Sequence, residues 1–324
     1  MTDPRPPRFT VIGEALIDLV DTGGSPYAAH AGGSPLNVAI GLSRLGQRTA
    51  FLGRFSRDPF GAVLRRHAAR SNVDLSLAVA AAEPSTVALV ELDEGAAHYT
   101  FSIDGTADFQ WTDAELAKLP TSVEAVHFGS LASWLPPGDR AIGRWIAQLH
   151  AAGTVLLSYD PNVRPALQPD PALARRSVEA ALAQAHVVKA SEDDLRWLYG
   201  DAALGDTALG DIAARWLAMG PHLVVVTRGG AGAVAFVGGC DPLTRPVHAA
   251  PVIDTVGAGD AFMSGLLDGL ARRELTAPSR LQAAVCRPST LAAVLDEAAL
   301  VAALTCSRAG AAPPWADELD APRG

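Results

Sequence analysis

Lysine is nearly absent from this chain. Lys118 and Lys189 are its two lysines, and the other bases are arginines. Together with the many alanines, this reflects genome composition and points to no function. Cysteine is scarce as well. Cys240, Cys286 and Cys306 lie far apart and are odd in number, which argues against a disulfide framework and a CxxC metal pattern. The N-terminal MTDPRPPRFTVIG holds no apolar stretch of signal-peptide length, and no apolar run reaches the ~18 residues of a membrane span. The formal net charge is −9 and the acidic residues are scattered. The lack of a basic stripe argues against a nucleic-acid backbone as partner, whereas a phosphate-bearing ligand needs only a local set of donors. A soluble, reducing, cytoplasmic setting is expected.

What is present is apolar sequence, 49% of 324 residues, enough for a sizeable core. Phe9 to Gly13 reads as a buried strand, and Pro35 to Leu45 as a helix started by Ser34–Pro35 and stopped by Gly46. Arg48–Gly53, Val123–Phe128, Thr154–Tyr159, His186–Lys189 and His222–Thr227 read as strands. Phe60–Arg70, Asp139–Ala151, Pro171–Ala183, Glu192–Tyr199 and Gly210–Ala218 read as helices. Strands alternating with helices imply an α/β fold with a mainly parallel sheet. Leu16–Ala31 and Ser85–Ile103 instead alternate apolar and polar residues, as half-exposed antiparallel strands do. They could form one small sheet acting as a lid over a cleft, or an ordinary edge extension. Ala311 onward is Pro-rich and reads as a surface tail.

The most informative segment is Asp254-Thr255-Val256-Gly257-Ala258-Gly259-Asp260-Ala261-Phe262. A small-residue turn runs directly into a helical pattern. Glycines let backbone approach a ligand closely, and the unpaired first-turn amides form an anion site. Phosphoryl transfer needs donors placed where charge builds on the moving group. Asp260 at the same helix start can accept the proton of an attacking hydroxyl. On residue type alone Asp260 is equally an N-cap.

The nonapeptide closely resembles a signature of the ribokinase-like (PfkB) carbohydrate kinases, most like bacterial fructokinases. Gly32-Gly33-Ser34-Pro35-Leu36-Asn37, followed by Leu45-Gly46, resembles the other family signature. Gly13-Glu14-Ala15-Leu16-Ile17-Asp18 resembles the family's first-strand exit. The likeness runs from Val11 to Ala311. It implies a three-layer α/β/α core in a single domain over 1–324, with an antiparallel lid built from roughly 15–33 and 85–111. It implies a catalytic set of Asp260, Arg164 and the Gly257, Ala258 and Gly259 amides. Sugar hydroxyls would meet Asp18, Gly32, Gly33, Asn37 and Phe101. Carboxylate and amide suit that role, since both accept hydroxyl hydrogens and the amide also donates.

Softer likenesses fill the middle of the chain. Asp160-Pro161-Asn162-Val163-Arg164 looks like the family's DPNxR segment, whose arginine lies near the transferred phosphate and suits bidentate contact. A strand-end turn with a surface ion pair is the other reading. Lys189 to Asp194 aligns with the family's Asn-x-x-Glu motif, which holds magnesium through water. The motif departs here to Ser191 and Asp194, so Asp194 is the candidate metal residue, or else part of an acidic helix start. Thr227-Arg228-Gly229-Gly230-Ala231-Gly232 resembles the nucleotide loop, or on its residues alone a hairpin with Val234–Phe236 returning. ATP would therefore meet Lys189, Thr227, Gly229, Gly232, Gly257 and Gly259, and Leu304–Ala311 would close the adenine pocket. The implied cofactors are ATP and Mg2+, with a monovalent cation such as K+ near Asp254.

The expected activity is transfer of the ATP γ-phosphate to a monosaccharide hydroxyl, fructose above all. Alternatives are ribose, 2-keto-3-deoxygluconate or a nucleoside as acceptor, or a non-catalytic sugar or nucleotide sensor. A sugar phosphate is disfavoured because Thr86–Asp104 holds no Lys or Arg. An exposed lid face could also join two copies into a dimer.

Overall fold

Short apolar runs, each ending in a glycine or a polar turn, become the strands of one central sheet. The computed structural model describes residues 7–21, 27–93, 96–117, 123–201 and 205–319. Its strands are β1 (Phe9–Ile12), β2 (Leu16–Val20), β3 (Ala28–Gly32), β4 (Thr49–Leu52), β5 (Arg54–Ser56), β6 (Val79–Ala81), β7 (Val87–Asp93), β8 (Ala96–Ser102), β9 (Ala125–Gly129), β10 (Leu156–Asp160), β11 (Val187–Ser191), β12 (Leu223–Thr227), β13 (Ala233–Phe236) and β14 (Leu243–Arg245). Eight of them form the core sheet in the order β14-β13-β12-β11-β10-β9-β1-β4. The pairs from β4 to β12 are parallel, and β13 and β14 add antiparallel to the end.

The helices cover both faces, as a parallel sheet requires. They are α1 (Ser34–Arg44), α2 (Pro59–Arg70), α3 (Asp113–Leu116), α4 (Asp139–Ala152), α5 (Pro171–Leu182), α6 (Glu192–Tyr199), α7 (Asp206–Leu217), α8 (Ala258–Arg272), α9 (Pro278–Ala284), α10 (Pro288–Cys306) and α11 (Ala316–Leu319). Strand residues alternate between two cores. Leu223 and Val225 pack with α1, α8 and α10, and Val224 and Val226 pack with α4 to α7. This is the three-layer arrangement expected from the sequence. Small residues let α8 sit close to its neighbours. A Cβ on Gly41 of α1 would come within 2.2 Å of the Ser264 hydroxyl, and one on Gly265 within 2.8 Å of the Ala298 Cα.

Several expectations need correcting. The lid is a four-stranded sheet in the order β3-β2-β7-β8, but it is mixed. β2 runs parallel to β7, while β2–β3 and β7–β8 are antiparallel. β2 follows β1 after a three-residue link, so its direction is set by the core strand. The chain after Ala311 does not hang free. Pro313 and Pro314 are buried, Arg44 donates to the Pro313 carbonyl at 2.8 Å, and its guanidinium lies over the Trp315 ring. Cys240 and Cys286 are joined in a disulfide, which neither their count nor their spacing suggested. Finally, α10 is long and apolar enough by composition to cross a membrane. It nonetheless packs against α8 as a core helix, with Asp296 and Glu297 ion-paired to Arg245 and Arg273.

The lid is tied to the core through Asp108, which is 1% exposed. It lies in the 3-10 turn Ala107–Phe109 and accepts the Ala15 amide at 2.9 Å. Burial raises its pKa to about 7 against the lowering effect of Thr86 and the Ala15 amide, with Glu14 adding to the rise. Thr86 already donates its hydroxyl hydrogen to Thr106, so it is free to accept from a protonated Asp108. Folding therefore favours the neutral acid, and the stability it confers is lost as pH rises from about 4 through about 7. Asp108→Asn still accepts the Ala15 amide and cannot ionise. Its melting temperature should rise relative to wild type, by several degrees, between pH 5 and pH 8. A difference that stays flat with pH would contradict this.

Candidate active site

The two glycine-containing motifs, more than 200 residues apart, meet at one point. α8 starts at Gly257, whose left-handed backbone (φ 74°) turns the chain into the helix. A Cβ there would also strike Ala311, 2.5 Å away. Asp260 stands in the first turn, and α1 delivers two partners to it. The Ser34 hydroxyl donates to Oδ1 at 2.7 Å, and the Asn37 amide donates to Oδ2 at 2.9 Å. Each carboxylate oxygen keeps a second lone pair for a substrate hydroxyl. Burial raises the Asp260 pKa. The bonds from Ser34 and Asn37, and the charges of Lys189 and Arg164, pull the other way. Asp260 has no side-chain bond to its own helix that would make it an N-cap. Among the described residues, the Gly259 and Asp260 amides have no backbone acceptor, as the helix start requires.

Asp18 faces the same region from β2. Its carboxylate rises to about 6, chiefly through burial. Arg164 and His30 oppose the rise and Asp260 adds to it. Gly32 matters because a Cβ there would come within 2.3 Å of Asp18 Oδ2. Arg164 is half-buried after β10 and acts electrostatically on Asp18, Asp260 and Glu14. It is thus the cation shared by the carboxylates of this corner. Phe101 packs at the edge of a small cluster with Leu16, Phe109 and Trp134 under the lid. Tyr99, an aromatic on which a nucleoside acceptor could stack, lies outside the residues whose side chains are described.

A cleft of about 630 Å³ opens on the other side of the α8 start. Lys189, Asn162 and Gly259 lie at its polar end, Thr227, Gly229 and Gly232 along one wall, and Ala299, Ala303 and Cys306 of α10 at its apolar end. Every residue expected to meet the nucleotide except Gly257 lines it. Lys189 is 4% exposed and pairs with Asp160 at 2.8 Å. Burial alone would lower its pKa, but Asp160 and Asp194 outweigh that and hold it charged. Its Nζ would lie 2.9 Å from a Cβ on Gly259, so a cation stands beside the open amides.

Asp194 is occupied differently from its expected role. Oδ1 accepts the Val163 amide at 2.7 Å, and Oδ2 accepts the amide and hydroxyl of Ser191 at 2.8 and 2.7 Å. It closes a capping box with Ser191 and anchors the DPNVR loop. The acidic helix start was the reading closer to this geometry. Among the described residues there is no cluster of three or more metal-ligating side chains. Sequence reasoning passed over Glu14, Ser130 and Asn162, which surround Arg164. Glu14 was quoted within a motif, but nothing local marked it as buried at 1% exposure.

A cleft of about 630 Å³ beside a helix start whose buried carboxylate faces a small second sheet suits an enzyme that phosphorylates a small hydroxyl compound. The chain belongs to the pfkB family of carbohydrate kinases, whose model matches residues 7–318. A fructokinase of Rhizobium leguminosarum bv. trifolii is 38% identical over 264 residues, covering 80% of this chain and 78% of that protein. A Xylella fastidiosa fructokinase crystallised with bound ATP superposes with a TM-score of 0.85 at 27% identity, covering 96% of each chain. A Vibrio cholerae fructokinase double mutant, in a form with fructose, ADP and potassium ion bound, superposes with a TM-score of 0.80 at 28% identity over 95% of each chain.

Gly33 precedes α1 with φ 106° and ψ 119°, and a Cβ there would lie 2.6 Å from the Glu14 carbonyl oxygen. Gly33→Ala should shift the start of α1 and with it Ser34 and Asn37. The expected cost is roughly 1–3 kcal/mol of stability from the backbone conformation alone, with a larger loss of turnover. Thermal melting and steady-state kinetics on one preparation would check both.

Proposed function

We propose that this protein phosphorylates fructose with ATP, and that Asp260 is the general base. The observation that carries the reading is the clamping of Asp260 by Ser34 and Asn37 at a helix start where, among the described residues, the Gly259 and Asp260 amides have no backbone acceptor, although the Ala258 amide donates to the Thr255 carbonyl. The sugar lies under the lid against Asp18, Gly32, Gly33, Asn37 and Phe101. ATP lies in the cleft, with its phosphates toward Lys189 and the Gly257–Gly259 turn. Asp260 takes the proton of the attacking hydroxyl, and that oxygen attacks the γ-phosphorus in line as its bond to the β–γ bridging oxygen breaks and ADP leaves. The first-turn amides and Arg164 meet the charge that develops on the phosphoryl oxygens.

Magnesium keeps most of its waters and is bound by one or two carboxylates plus substrate phosphates. Asp194 lines the cleft and Asp160 pairs with Lys189 behind it, and the oxygens of both already accept hydrogen bonds. They fit an ion held through water, which would neutralise phosphate charge when ATP binds. A monovalent cation fits beside Asp254, whose carboxylate ties together the Val256 and Gly310 amides. An ATP-consuming sugar kinase belongs in the cytoplasm, where the Cys240–Cys286 bridge would be open to reduction.

The experiment is ADP release from ATP-Mg against fructose, ribose, 2-keto-3-deoxygluconate, fructose 6-phosphate and adenosine. Saturable turnover should be fastest with fructose. A faster rate with another acceptor would replace the substrate, and silence with all five would overturn the enzymatic reading. Asp260→Asn should lower kcat by about 10²–10⁴-fold while melting normally. Near-normal turnover in that variant would exclude Asp260 as base. A base works ionised, so kcat should fall as pH drops. Burial raises Asp260, so that acid limb should lie above the ~4 of an ordinary carboxylate.

A further inference from the structure

The Gly257–Gly259 turn has little of its own to hold it in place. Val252, Ile253 and Val256, which lead into it, are exposed, so their side chains do not fix it by packing. Its anchors are polar. The Ile253 and Asp254 amides both donate to the Cys306 carbonyl at the end of α10, at 2.8 and 3.2 Å. Asp254 Oδ2 accepts the Gly310 amide at 2.7 Å. Ala311 then lies directly against Gly257, where a Cβ would come within 2.5 Å of the Ala311 Cβ and 3.0 Å of its Cα. The turn is therefore backed by residues 306–311, and its position depends on theirs.

The residues that follow lie along α1. A Cβ on Gly41 would come 3.7 Å from the Pro313 Cβ. At the end of α1 the Arg44 guanidinium meets three groups. Nη1 donates to the Pro313 carbonyl at 2.8 Å, Nε donates to the Ser71 hydroxyl at 3.0 Å, and the guanidinium carbon stands 5.3 Å from the centre of the Trp315 ring. A planar guanidinium suits this clasp, because it donates in its plane while its face meets the ring. Glu318 accepts the Trp315 amide at 2.7 Å and pairs with Arg308, which closes the segment back onto the end of α10. Leu319 packs with Leu45, Ala261 and Val301. The segment thus touches α8 on both sides of Asp260, at Gly257 and at Ala261. Arg44 and Trp315 do not line the nucleotide cleft, so an effect of either on turnover must pass through the segment they clasp.

We propose that Arg44 and Trp315 are positioning residues, which clasp residues 310–319 along α1 and so hold the Gly257–Gly259 amides toward the transferring phosphoryl group. This deepens the kinase reading above and rests on it. A displaced turn still leaves the rest of the cleft to bind nucleotide, but it no longer presents its amides where charge develops.

The test compares Arg44→Ala, Trp315→Ala and Trp315→Phe with wild type, at a temperature where melting curves show all four folded. Alanine at the last residue of α1 keeps helix propensity high, and phenylalanine at 315 keeps a ring face for the guanidinium. The expected result is a kcat lowered about 10–100-fold in both alanine variants, since a misplacement of ~1 Å can cost about 10²-fold. The KM for fructose should stay near wild type, because Asp18 stands on β2, outside the clasp. Trp315→Phe should recover most of the lost kcat. Hydrogen exchange of the Ile253–Ala261 amides should quicken in the alanine variants while that of α4 stays unchanged, and should slow again in Trp315→Phe. If Arg44→Ala does not fold, the two Trp315 variants decide the matter. The proposal is overturned if a folded alanine variant keeps wild-type kcat, raises KM at constant kcat, or leaves exchange across Ile253–Ala261 unchanged. It also falls if Trp315→Phe does no better than Trp315→Ala. Failure of the kinase reading would look different: the wild-type protein would turn over no acceptor, while the exchange comparison would still report whether the clasp holds the turn.

Discussion

The meeting of two helix starts at one carboxylate governs this molecule. Ser34 and Asn37 on α1 hold both oxygens of Asp260 on α8, and both helices emerge from positive-φ glycines, Gly33 and Gly257. Neither helix can shift without breaking that clamp. Their bodies are also locked lower down, where Gly41 lets α8 approach at Ser264. The lid is attached to the same junction. β3 ends at Gly32 and leads straight into α1, while β2 carries Asp18 on a strand continuous with the core. The corner that holds Asp18 and the cleft beside Lys189 therefore meet at one helix start rather than being joined by a flexible link.

Charge is used sparingly around that wall. The buried or half-buried carboxylates Glu14, Asp18, Asp160 and Asp260 face two cations, Arg164 and Lys189. Lys189 is one of two lysines in the chain. A compact ammonium can be enclosed between carboxylates and still lie beside the open amides, whereas a planar guanidinium needs the wider setting found at Arg164. The corner thus carries excess negative charge until phosphates and their counter-ions arrive, which favours binding nucleotide together with a cation.

The parts that were legible in the sequence are local. The nonapeptide around Asp260 and the Gly32–Asn37 segment are contiguous, and their residue types state the chemistry. Strand and helix periods gave the alternating βα order, with ends displaced by a few residues. The illegible parts depend on pairing at long range. Nothing near Glu14 tells that the Ala132 amide, more than a hundred residues on, will donate to it. The alternating pattern of β2 and β7 reports one exposed face but not that the two strands run parallel. Asp194 aligned with a magnesium-holding position, and spacing did not reveal that its oxygens would also accept the Val163 and Ser191 amides. Composition described the residues after Ala311 as polar and Pro-rich, and could not reveal that Arg44 and α1 would hold them.

The bridge between Cys240 and Cys286 spans 46 residues, and the whole of α8 lies inside that span. In its oxidised form the chain therefore carries Asp260 and the Gly257–Gly259 turn within a covalent ring that ties the end of the core sheet to the link between α9 and α10. In the chain-entropy account, a ring of that size removes about 4 kcal/mol of freedom from the unfolded chain. Oxidised and reduced molecules can thus share one native geometry and still differ in how readily the segment bearing the anion site opens on its own.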